Sequence, residues 1–138
     1  TTDMIIHELL IAEQQEAIKV FEEEGRLLVK KHSPKEMVEL AGMRLEASKT
    51  SNASIQDCSV WKLAKDMGCS LLTGDGKLRK IVQKDEVEVH GILYLFDKLL
   101  EHDIIDCETA IERMEALKNI NTRLPKDEID KRIHRWKG

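Results

Sequence analysis

Leu71-Leu72-Thr73-Gly74-Asp75-Gly76-Lys77-Leu78-Arg79-Lys80 puts one acid at the end of a short apolar run. Glycines bracket that acid, and a basic, helix-like segment follows it. The run Cys69–Thr73 reads as a strand, closed off by Gly74, and Asp75 opens a helix through about Lys84. An Asp before Gly-Lys-Leu-Arg is a good helix N-cap. It is also suited to a group of carboxylates that holds a metal ion, because ligands of parallel α/β sheets collect at the carboxyl ends of the strands.

Outward from this stretch, the apolar periods alternate between strand and helix. Upstream, Ser54 caps a helix that Gly68 closes, after the turn-rich loop Lys49-Thr50-Ser51-Asn52-Ala53. Ser33-Pro34 with Glu36 is a capping box with Pro at the first helical position, starting a helix to about Ser48. Arg26–Lys30 reads as a strand. His7 to about Glu24 reads as helix, broken in two and ended by Gly25, and Thr1–Ile6 as the end of a strand. Downstream, Val87–His90 is a short strand, and Gly91 leads into a helix through about His102. Two further helices, about 106–119 and 126–136, are separated by Pro125. Short apolar strands alternating with helices predict an α/β fold with a parallel sheet covered by helices. The expected division is a body over 1–102 and a C-terminal helical extension over 103–138.

Composition narrows the function. The 138 residues suffice for one real core, and 41% hydrophobic with 35% charged residues describes a globular chain. Aromatics are only 4%, which argues against recognition of bases by ring stacking. The net charge is −4, yet residues 108–138 carry a local balance of +2, so contact with a polyanion needs a local patch. Three cysteines without metal or redox spacing point to free thiols in a reducing, cytoplasmic setting. No apolar run reaches the roughly 18 residues of a membrane span. His7-Glu8 starts a zinc-protease-like pattern that fails at Ile11.

Three acids fall where helices begin. Asp75 is the first, and Thr73 is placed to bond its carboxylate. Asp57 completes a capping box with Ser54 but shares a stripe with Val60, Trp61 and Ala64. Glu8 lies on a stripe with Met4 and Ile11, where an unpaired carboxylate is costly. Each has a plain reading as a cap or a dipole-favoured acid. Gathered at one sheet edge, they would repel unless a divalent cation neutralised them, and oxygen ligands favour Mg²⁺ or Mn²⁺. Lys77, Lys80 and Lys84 share one face of the following helix, either as a solvated face or as a nucleic-acid contact.

These residues resemble a known family. Ser54-Ile-Gln-Asp57-Cys-Ser, followed by Leu63 through Thr73-Gly74-Asp75, looks like the second half of a PIN domain. Asp3-Met-Ile-Ile-His-Glu8-Leu9 is similar to an earlier stretch of that family, and Val87–Gly91 with Leu93–Leu100 fits its last strand and helix. The resemblance implies a Rossmann-like three-layer α/β/α fold and a metal-dependent nuclease, often a ribonuclease and often the toxin of a toxin–antitoxin pair. It implies that Glu8, Asp57 and Asp75 bind Mg²⁺ or Mn²⁺, that Thr73 supports them, and that a metal-activated water attacks an RNA phosphodiester. Lys77, Lys80 and Lys84 would then hold the RNA. An antitoxin-like protein partner and a homodimer are expected with it. The family also opens with a strand ending in Asp, and no residue from Thr1 onward matches it. That acid is expected ahead of this stretch or from a second chain, unless the protein is an inactive relative.

Two rivals remain. One is a non-catalytic nucleic-acid-binding or protein-interaction module on the same fold. The other is a phosphate loop at Gly74–Lys77, which fails because Leu78 stands where Ser or Thr is required.

Overall fold

Ser33 and Ser54 each start a helix by the same reciprocal device. The Ser33 side chain accepts from the Glu36 amide while the Glu36 carboxylate accepts from the Ser33 amide, which opens α3 (Pro34–Ala47). Ser54 and Asp57 repeat the exchange at α4 (Ile55–Met67). Two orphan amides are satisfied at each end, so both helices begin where the capping boxes predict. Gly68, at φ 60°, stops α4 in the left-handed conformation that a side chain would disfavour.

The computed structural model describes residues 1–138. Ahead of α3 lie α1 (Asp3–Ile6) and α2 (Ala12–Glu23). After α4 come β1 (Leu71–Leu72), α5 (Gly76–Val82) with a 3-10 turn over Gln83–Asp85, and β2 (Val89–His90). Three helices close the chain: α6 (Ile92–Glu101), α7 (Cys107–Ile120) and α8 (Lys126–Trp136). No helix is long and apolar enough to cross a membrane. The chain divides into two compact units, Thr1–Val89 and His90–Gly138, so α6 groups with the C-terminal helices.

In the first unit the α/β character survives, but the strands are shorter than the sequence predicts. β1 and β2 form a small parallel pair. The expected strand Arg26–Lys30 contracts to one parallel bridge between Thr2 and Lys30. Lys30 donates to the Thr1 carbonyl at 2.9 Å and accepts from the Asp3 amide at 3.0 Å. This is the parallel pattern, in which one residue bonds both neighbours of its partner. It ends there because the backbone turns into α1 at Asp3, with Thr2 in the N-cap position and no side-chain cap.

The core of this unit joins α3, α4, α5 and the strand pair, with Leu40, Cys58, Leu78 and Val82 closed to solvent. Burying a side chain of that size contributes about 1.5–3 kcal/mol. The Trp61 indole donates to Asp85 at 3.1 Å, which fixes the 3-10 turn to α4. Lys62 bridges Glu39 on α3 and Asp66, and those hydrogen bonds raise its pKa. No residue of α2 is buried. In the second unit Met114, Ile129 and Ile133 pack between α7 and α8, with Leu93 and Phe96 of α6 against them.

Candidate functional site

Asp57 is half-buried in the first turn of α4, and one of its oxygens accepts from the Ser54 amide at 2.8 Å. Its Oδ1 has no hydrogen-bond partner. Asp75 is exposed and caps α5: Oδ1 accepts from the Lys77 amide at 2.7 Å and the Leu78 amide at 3.3 Å. Its Oδ2 is left over. The Thr73 hydroxyl accepts from the Asp75 amide at 3.1 Å, so it orders the turn through the backbone and not through the carboxylate. Glu8 lies exposed in the turn between α1 and α2, beyond the helical stripe that the sequence assigned to it.

The expected convergence of these acids is not seen. No three His, Cys, Asp or Glu side chains are gathered so as to hold one metal ion, so Glu8, Asp57 and Asp75 do not make a common ligand set. The local reason is capping. Asp57 and Asp75 turn back onto their own helix amides, which stabilises a helix end by about 1 kcal/mol, and nothing in the chain draws them elsewhere. As they stand, the three acids are not gathered around one ion.

The basic face is different. Lys77, Lys80 and Lys84 line a single open cavity of about 580 Å³, opposite Ser48, Thr50 and Asn52. None of the three lysines forms an ion pair. Their face therefore keeps its full positive charge in a chain whose net charge is −4. Sequence reasoning found these lysines by spacing. It missed the opposing wall, which it read only as a turn-rich loop; the signal there was a polar run from Lys49 to Ser54 without an acid.

The basic residues near the C-terminus do not offer such a surface. Arg132 and Arg135 both bind Asp97, at 2.9 Å each. Lys131 pairs with Glu128 at 2.8 Å, and Lys137 lies 3.8 Å from Glu115. Their charge is neutralised locally, whereas that of Lys77, Lys80 and Lys84 is not.

The thiols divide by exposure. Cys58 is buried, and that burial raises its pKa, whereas Cys69 and Cys107 are exposed. An inert buried thiol gives no support for nucleophilic chemistry at Cys58.

A family model described as a PIN domain matches residues 1–138. No curated protein and no solved structure matches the chain.

Proposed function

The chain belongs to the PIN-domain family, and from that premise we propose that it acts on RNA as a phosphodiester-cleaving nuclease. The observation that carries the reading is the family match over the whole chain, joined to an unpaired lysine face directly after Asp75. In this reading Lys77, Lys80 and Lys84 hold phosphates by charge. Affinity should then fall steeply with salt. Asp57 and Asp75 are the assigned acids, because each keeps an oxygen free after capping its helix. Glu8 is the third, and Thr73 holds the Asp75 turn.

Mg²⁺ or Mn²⁺ is the ion that such acids would take. Three ligands are not gathered for it. We also take the two strand pairings and their covering helices as parts of a three-layer α/β/α arrangement. A protein partner of antitoxin type and a homodimer belong to the same proposal, in keeping with exposed apolar side chains such as Val38 on α3 and Ile120 on α7. Size-exclusion chromatography coupled to light scattering tests the dimer.

The second reading is an RNA-binding module of the same family without catalysis. The absence of a three-acid cluster favours it. The two separate by experiment: labelled RNA is incubated with the protein and Mn²⁺, and both cleavage and retention are scored. Cleavage that EDTA abolishes supports the nuclease. Retention without cleavage supports the module.

A further inference from the structure

A second cavity, of about 670 Å³, is lined in part by the same loop that faces the lysines. It shares Ser48, Ser51 and Asn52 with the first cavity, and it adds Arg44 and Ser54 beside the apolar Ala41, Leu45, Ala53 and Ile55. The two hollows thus adjoin at a polar sill, Ser48, Ser51 and Asn52. Arg44, in the last turn of α3, forms no ion pair, like the three lysines. Neither cavity is lined by an Asp or Glu. Four cations without ion pairs therefore line the two cavities, with no acid among them, in a chain whose 26 acids outnumber its 22 lysines and arginines.

The sill carries hydrogen-bonding groups that remain unused. Ser51 accepts from the Ala53 amide at 3.2 Å, so its own proton is free to donate. Ser48 donates to the Leu45 carbonyl at 2.7 Å, so its oxygen is free to accept. Thr50 and Asn52 form no side-chain hydrogen bond. No aromatic residue lines either cavity, which removes base stacking as the means of recognition. What remains is charge for phosphates, plus donors and acceptors of the kind that a ribose 2′-hydroxyl engages.

We propose that Arg44, the 48–54 loop and the Lys77/Lys80/Lys84 face form one continuous track for single-stranded RNA, crossing the loop between the two cavities. The proposal rests on the RNA reading above and extends it to residues outside the acids and lysines. Each cavity falls in the size range of a whole small-ligand pocket, about 300–1,000 Å³. Two of them joined suit a polymer better than a free phosphate or a single nucleotide.

The test is binding and not cleavage, so it stands apart from the nuclease reading. Fluorescence anisotropy of a short labelled oligouridine is measured in EDTA over a salt series, with a deoxy-oligomer of the same length beside it. Circular dichroism confirms that each variant is folded. Arg44→Ala and Lys80→Ala should each weaken RNA binding by roughly 3- to 10-fold and flatten the log–log salt slope by about 0.7. Thr50→Val together with Asn52→Ala should weaken RNA more than DNA. Lys19→Ala, on α2 and paired with Glu23, should change nothing. A loss with Lys80→Ala but not with Arg44→Ala overturns the track and leaves a lysine-only site. Equal affinity for RNA and DNA in every variant overturns the role of the sill. No RNA binding at low salt overturns the whole inference. Binding that behaves as expected in a protein that cleaves nothing sinks the nuclease reading alone.

Discussion

The hydroxyl oxygens of Thr2 and Ser59 lie 2.7 Å apart, and both side chains are closed to solvent. Ser59 also donates to the Gln56 carbonyl at 2.7 Å, so the shared proton between the two hydroxyls comes from Thr2. This contact fastens the Thr2–Lys30 bridge to α4, the helix that carries Asp57.

The two ends of that bond are unequal. Thr2→Val leaves Ser59 still bonded to Gln56 and should cost about 0.5–1.5 kcal/mol. Ser59→Ala strands the Thr2 hydroxyl in a dry site and should cost about 1–3 kcal/mol. Urea unfolding of both variants measures the order. A costlier Thr2→Val would reverse the assigned direction of the bond.

Glu36 supplies a pH dependence. The Ser33 amide and the Lys30 ammonium hold its carboxyl down at about 2, from an ordinary value of 4.5. A depressed acid stabilises the fold above its unfolded value and loses that contribution as pH falls through its folded one. The urea midpoint should therefore drop between about pH 4.5 and about pH 2. Asp106 and Glu128, also lowered by hydrogen bonds, add to the drop with the same sign. Glu36→Gln keeps the capping box but removes the titration, and its midpoint should fall less. Identical acid profiles for the two proteins would contradict the assignment.

His32 is a fault in the polar accounting of the first unit. Its side chain is only 2% exposed, neither ring nitrogen has a hydrogen-bond partner, and Nδ1 lies 4.0 Å from Glu36. A buried, unsatisfied polar group costs about 1–3 kcal/mol, so His32→Phe should raise stability by an amount in that range. Differential scanning calorimetry reads this as a higher Tm. A Tm that falls would show that the imidazole has a partner.

Helix ends were legible because capping is local. Ser33, Ser54, Gly68 and Asp75 all stand where the sequence puts them, each satisfied by residues within a few positions. The strands were less so. Pairing needs a distant partner, and Arg26–Lys30 finds only Thr1–Asp3 before the chain turns into α1. The acids stayed ambiguous for a related reason: a capping Asp and a metal-binding Asp occupy the same position in a sequence, and only tertiary placement separates them. Arg44 and Asn52 were invisible for want of any local pattern. Folding alone sets Asn52 beside α5 in one cavity and beside Arg44 in the other.

Thiol chemistry gives an independent check on the core. Cys58 is fully closed to solvent, and Cys69 and Cys107 are open. A thiol reagent should label two cysteines in the native protein and the third only after denaturation. Fast labelling of all three would mean that the core around α4 opens readily.

RNA cleavage in the presence of Mn²⁺ tests the central claim most directly, comparing the parent with Asp75→Asn and Asp57→Asn. Asn caps a helix about as well as Asp, so the substitution at Asp75 removes the charge while keeping α5 intact. The nuclease reading predicts that the parent cleaves, that EDTA stops it, and that each variant loses most of its rate, since each removes a carboxylate meant to hold the metal ion. Equal cleavage by the parent and Asp75→Asn, or no cleavage by a parent that still binds RNA, would contradict it.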